Sequence, residues 1–417
     1  MASPEPVLAV RPALARRLPP RFPLTRGTGG SYIGANGLWQ FAERDQPRIG
    51  FDGNGACRGV IIEPAATNLF PRNREFARAS NYNLINLAAL TIGQQAPDGS
   101  LSAAAEIEDA TNSGRYFINA NVVPFVSGTQ YCSSRFCKYG TGAARYPGIL
   151  LPNAVFGSNA SAVFQCVGDG SYFIAGAGTN TSAGIFPVGN GWYLCWVSSQ
   201  ATASASNAGT QHRISNATNS TAPVYAGDGV SNVLWWGGQV EVGSYPTSFI
   251  DTPALASVSR AADSIVMPSI NEYWNPNEGT LIWEGDFRGL TAGDNVTVLS
   301  DGSAANFMAI ELNASTATTL EARLMTGSVE QALITLGTVA INTPYRAAIA
   351  WQGNDVQGAL NGTLSAQDVA ATLPASLTRL GIGDPAGSGG TTMNGACAGL
   401  RLWSKRLSNS LLQQLTT

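Results

Sequence analysis

Very few side chains among these 417 residues could carry out a reaction. Histidine occurs once, as His212 in Gln211-His212-Arg213-Ile214-Ser215, so a Ser-His-Asp or Cys-His relay would have to use it. Its place between polar stretches reads as a surface or edge-strand histidine. A single histidine also excludes histidine-rich metal sites. The oxygen-only alternative is calcium near Asp294 and Asp301. Asp301-Gly302, like Asp169-Gly170 and Asp228-Gly229, is adequately explained by turn chemistry, so no cofactor is expected. Cysteines at 57, 132, 137, 166, 195 and 397 form no C-x-x-C pair and read as buried free thiols. Cys132 and Cys137 are an odd number of positions apart, which places them on opposite faces of one strand and argues against a bridge.

The carboxylate pair worth weighing lies in Trp283-Glu284-Gly285-Asp286-Phe287. Alternate residues of a strand share a face, with Cα atoms roughly 6 to 7 Å apart. A retaining glycosidase needs its two carboxyl groups about 5 to 5.5 Å apart, so Glu284 and Asp286 could serve. Concanavalin-like glycanases resemble this with an E-x-D strand, but they add a further acid shortly after. Here Phe287, Arg288 and Gly289 follow, and the bland alternative is that Arg288 pairs with one of the acids on an exposed face.

Binding chemistry is better supplied. Nine Trp, twelve Tyr and fifteen Phe offer flat apolar faces for sugar rings, and loop Asn, Gln and Asp offer hydrogen bonds to hydroxyls. Trp192, Leu194 and Trp196 share one strand face and read as core. Trp274, in Asn271-Glu272-Tyr273-Trp274-Asn275-Pro276-Asn277, stands among polar residues and is the candidate exposed aromatic for a ligand.

The elements that must position these residues are strands. Charged residues are 12% of the chain, against about 25% in ordinary soluble proteins, and 47 Gly with 22 Pro interrupt it throughout, which excludes long helices and coiled coils. No apolar run approaches the roughly 18 residues of a membrane-spanning helix, and arginines and prolines break up the N-terminus where an export signal would need an apolar core. A net charge of −3 gives no footprint for nucleic acid. Alternation marks strands at Arg115–Ile118, Gln130–Tyr139, Trp192–Val197 and Val233–Trp236 in a first block. It marks Gly279–Glu284, Asn306–Leu312, Tyr345–Trp351 and Leu400–Trp403 in a second. Gly, Asn, Ser and Thr clusters separate them at the spacing of an antiparallel sandwich.

The expected organisation is an extended N-terminal arm over 1–30, a short-strand connecting segment over 31–75, a first jelly-roll sandwich over 76–264 and a second over 265–417. Residues 251–277, with Pro253, Pro268 and Pro276, form the linker, and Ser408 caps a short closing helix through Leu415. The arm holds Arg11, Arg16, Arg17, Arg21 and Arg26 with one acid and no apolar period, so it reads as an anchor that orders against a partner.

Three stretches are also diagnostic. They are Val60 to Phe70 (VIIEPAATNLF), Gly191 to Val197 (GWYLCWV), and Trp236 to Ile250 (WGGQVEVGSYPTSFI) continued by Ser259-Arg260-Ala261-Ala262-Asp263. They resemble a recurrent pattern in tailed-bacteriophage structural proteins, especially tail and head fibres that carry concanavalin-like sandwiches. Residues 278–417 separately resemble a laminin-G or concanavalin-like jelly roll, through Glu278-Gly279-Thr280-Leu281, the Ala359-Leu360-Asn361-Gly362 hairpin and Leu400-Arg401-Leu402-Trp403. The resemblance implies a virion component assembled in the host cytoplasm. It would be a homo-oligomer, with a trimer favoured, joined to other virion proteins through the arm and displaying its sandwiches to a host-surface glycan. Neither nucleic acid nor membrane insertion is expected. The expected mechanism is adhesion, and its rivals are a decoration protein without ligand and a polysaccharide-cleaving enzyme using Glu284 and Asp286.

Overall fold

In the strand Trp192–Gln200, Tyr193, Cys195 and Val197 enter one buried cluster while Trp192 and Trp196 enter others on the opposite side. The strand is therefore covered on both faces, and the Trp face expected to be sandwich core is buried instead where a second layer of chain crosses it. The computed structural model describes residues 4–74, 83–110, 113, 114, 116–158, 160–254, 256–383 and 391–417. Arg115, expected to open a strand, lies outside the described residues.

The fold class is all-β, two antiparallel sandwiches in tandem. In the first, one sheet runs Thr179–Gly189, Trp192–Gln200, Gln130–Tyr139, Asn232–Val242, Ala103–Glu108, Leu87–Gln94. The facing sheet runs Ser171–Gly176, Ser161–Gln165, Tyr146–Leu150, Ala205–Ser215, Tyr116–Phe125, Asn83–Ile85. Phe125, Tyr131 and Phe156 meet edge to face between them, with centroids 4.9 Å and 5.2 Å apart for the two Phe125 pairs, a geometry that suits ring quadrupoles. His212 is fully buried in this core and stacks on Trp235 at 4.9 Å, which corrects the surface expectation. Its strand is paired on both sides, and burial, then Arg135, push the imidazole well below its ordinary value. Cys132 and Cys137 face opposite clusters, and every cysteine is free.

In the second sandwich, Glu278–Gly289 lies between Tyr345–Gln352 and Asn394–Trp403, and its Trp283 and Phe287 point to the core shared with the sheet of Asp294–Ser300 and Phe307–Leu312. The closing helix is Asn409–Thr416, with the Ser408 hydroxyl accepting from Leu411 N–H and Leu412 buried beside Ile282.

Residues 4–62 are not a free arm and connector. Leu8–Val10 pairs antiparallel with Asn394–Trp403, Leu8 opposite Leu402, and Leu24–Thr25 pairs with Ser264–Met267. Cys57–Ile62 adds a further strand beside Asn394–Trp403. Leu8, Val10, Phe22 and Leu24 are all buried in the second core. Such short strands carry no periodic signal of their own, and they gain their hydrogen bonds by completing a sheet that already exists. The intervening hairpin, Gly30–Ile33 with Trp39–Ala42, then covers the outer face of the first sandwich, where Ile33, Trp39 and Phe51 pack with Phe136, Trp192 and Trp236.

A clasp of buried charge closes this wrap. Asp263 accepts from Arg26 Nη1 at 2.9 Å through one oxygen and from Arg48 and the Glu63 N–H through the other. Glu63 accepts from Arg48 at 2.6 Å and from Ser248 Oγ and N–H, both at 2.7 Å. Burial alone would raise the Glu63 carboxyl, but Arg48 and Arg260 hold it down to about 2. Arg26 therefore serves the fold. Arg16 lies over the Phe51 ring at 5.5 Å, Arg21 donates to Tyr273 Oη at 3.1 Å, and Arg11 and Arg17 are exposed.

Candidate functional site

Strand alternation sends Trp283, Gly285 and Phe287 inward and leaves Glu284, Asp286 and Arg288 half-buried on the other face. A bulge between Glu284 and Gly285 in the pairing with Asn394–Trp403 adds Ala398 to the partner strand, bending the ladder without moving the two acids to different faces. Gly285 is required there, because a Cβ would stand 2.2 Å from the Ala396 carbonyl oxygen.

This face forms the floor of a cleft of about 790 Å³. The turn Asp52 to Arg58 makes one wall, Asp169, Phe186 and Pro187 of the first sandwich another, and Asn342 to Arg346 with Asn361 a third. The volume falls within the range of about 300–1,000 Å³ typical of small-ligand sites. Past Glu284, Arg346 and Ala398 it continues into a groove of about 420 Å³ that reaches Arg11 and Leu14.

The two acids of the floor are paired with arginines, and Asp52 is held by its own turn. Asp286 accepts from Arg58 Nε at 2.8 Å and, through its other oxygen, from Arg58 Nη2. Glu284 accepts from Arg401 Nη2 at 2.5 Å and, through its other oxygen, from Arg346 Nε at 3.3 Å. Asp52 Oδ1 accepts from the N–H groups of Asn54 and Ala56 at 2.9 Å and 2.8 Å. Arg288 stands over the Phe186 ring at 4.8 Å and makes no ion pair among the described residues. Burial, and then Arg58, push its guanidinium down to about 9.

The expected acid pair is thus brought together in a cleft, but Arg288 partners neither member; Arg58, Arg346 and Arg401 do. Every oxygen of Glu284 and Asp286 is already engaged, so a nucleophile or general acid would first have to leave an arginine. Fixed carboxylates and guanidiniums with the amides of Asn342 and Asn361 form a surface suited to hydroxyl-rich ligands.

Trp274 is not part of it. The ring lies half-buried against the second core and stacks on Trp351 at 5.6 Å and 29°, because its polar neighbours remain at the surface while Asn275 ties the segment to the Ser404 carbonyl at 2.9 Å. Asp301 is held by its own turn, accepting from Ser303 and Asn306. Asp294 is buried elsewhere, beside Thr391. Among the described residues no group of three or more His, Cys, Asp and Glu side chains is gathered for a metal. Sequence reasoning missed Arg58, Arg346 and Asn342 in the site. Asn342 and Asn361 carry the one readable signal, a polar residue at a positive-φ turn between strands (57° and 45°).

No family model and no curated protein matches the chain. Solved structures similar to parts of it include the CBM40 domain of the Ruminococcus gnavus IT-sialidase bound to α2,3-sialyllactose, at 12% identity and TM-score 0.30 over 34% of this chain and 83% of that one. The leech intramolecular trans-sialidase aligns at 13% identity and TM-score 0.29 over 34% and 23%. Trypanosoma rangeli sialidase in complex with sialic acid aligns at 11% and 0.29 over 72% and 60%. Similarity at this level carries no argument about what the chain does.

Proposed function

We propose that the protein recognises a glycan in the cleft between its sandwiches, as an adhesive surface component of a phage particle. The observation that carries the reading is the cleft itself, where carboxylates and guanidiniums are fixed by one another. Such groups exchange hydrogen bonds with sugar hydroxyls without the ordering cost that mobile side chains would add. The virion placement is supported by the fibre-like stretches of sequence, and immunogold labelling of particles tests it.

Ala56 is exposed on the cleft wall, so Ala56→Trp fills the cleft without touching the core. Calorimetric titration with purified surface polysaccharide is expected to show at least a tenfold loss of affinity in this variant. Unchanged affinity would remove the cleft from the binding reaction. The same mixtures are expected to release no new reducing ends, because the oxygens a glycosidase would use are bound to arginines. Cleavage that Glu284→Gln abolishes would reverse that reading.

A further inference from the structure

Of the arginines that line the cleft, Arg288 is the one that makes no ion pair among the described residues. The fields of Asp286, Asp52 and Glu63 reach Arg288. Asp286 is clamped by Arg58, Asp52 caps its own turn, and Glu63 belongs to the clasp with Arg48 and Ser248. Arg58 repels Arg288. A guanidinium without a counter-charge keeps its donors available, and its fork matches a planar or tetrahedral oxyanion. The Phe186 ring beneath it, 3% exposed, holds the fork in place while leaving its outer edge open to the cleft.

We infer that the cleft selects an acidic glycan, with Arg288 as the receptor for an oxyanion group on one sugar, a carboxylate or a sulfate ester. The inference rests on the glycan reading above and adds to it the charge of the ligand. The groove that continues past Glu284 to Arg11 suits a chain of sugars over a single ring.

The test uses the full-length protein and three forms of one oligosaccharide: with a hexuronate, with that carboxyl reduced to the alcohol, and with a sulfate ester on the reduced form. The wild type is expected to bind an anionic form at least tenfold more tightly than the reduced form, and the hexuronate and sulfate arms identify the group. Arg288→Gln is expected to bind all three forms alike, at the wild type's affinity for the reduced one. Its melting temperature should not fall, since Arg288 makes no ion pair among the described residues. Should that variant fold poorly, Arg288→Lys keeps the charge without the fork and is expected to lose most of the preference. Equal wild-type binding of acidic and reduced forms, or a preference that survives in Arg288→Gln, overturns the inference. If the reduced form still binds and Ala56→Trp still blocks it, the glycan reading stands without the anion. If no form binds, both fall.

Discussion

The clasp and the cleft are two clusters of arginines and acids that share a border, since Glu63 belongs to the first and lies within the field of Arg288 in the second. In the clasp the side chains of Arg26, Arg48 and Asp263 are wholly buried, and each of Arg26, Arg48 and Arg260 has a carboxylate within 4 Å. In the cleft Glu284 and Asp286 are paired but water reaches them, and Arg288 makes no ion pair among the described residues. Buried charge that is paired fixes the path of the chain. Charge that is held in place but incompletely satisfied is available to a ligand.

The comparison is broken most directly at Asp263. Asp263→Ala leaves Arg26 and Arg48 facing each other in a buried space, and removal of one partner from a buried pair costs about 3–5 kcal/mol. Urea unfolding is expected to show a loss at the upper end of that range, with the strand Leu24–Thr25 losing amide protection first. A loss below about 1 kcal/mol would put the clasp on the same footing as a surface pair.

Asp294 tests a third case, a buried acid with no cation beside it. Burial raises its carboxyl to about 7, although the Thr391 hydroxyl on one oxygen lowers it. The folded chain then keeps the proton to a higher pH than the unfolded chain, so this group's contribution is fully present below about pH 4 and is lost as pH rises through 7. At about 1.4 kcal/mol per unit the loss by pH 8 amounts to about 4 kcal/mol. Asp294→Asn should abolish that slope and raise the urea midpoint at pH 8 while leaving it nearly unchanged at pH 4. A slope that persists in the variant would assign the titration to another group.

Much of the fold was legible because period-two alternation is a local signal. Trp192–Gln200, Asn232–Val242 and Glu278–Gly289 could be read as strands, and Ser408 as a cap, from a few neighbouring residues each. The partners of Leu8–Val10 and Cys57–Ile62 could not, because their ladders are written near residue 400. Five arginines without an apolar period looked like a docking arm, yet the four apolar side chains at positions 8, 10, 22 and 24 were enough to sew the segment into a sheet. Trp274 misled for a related reason: polarity of neighbours in sequence says nothing about which way a ring turns. In the site, Glu284 and Asp286 were legible as a same-face pair. Their arginines come from residues 58, 346 and 401, so what those acids do depends on topology that local spacing does not encode.

The smallest effect is expected where the clasp and the cleft should differ most. Glu284 is 25% exposed, and Arg346, one of its two partners, is 46% exposed, so water already solvates much of this charge. Exposed pairs contribute about 0–1 kcal/mol, and Gln keeps the shape and one acceptor for Arg401. Glu284→Gln should therefore lower the unfolding free energy by no more than about 1 kcal/mol. A loss approaching that of Asp263→Ala would mean that the cleft acids hold the two walls together. Arg288 would then be the residue of an incompletely balanced structural network, and the argument for a ligand would lose the contrast on which it stands.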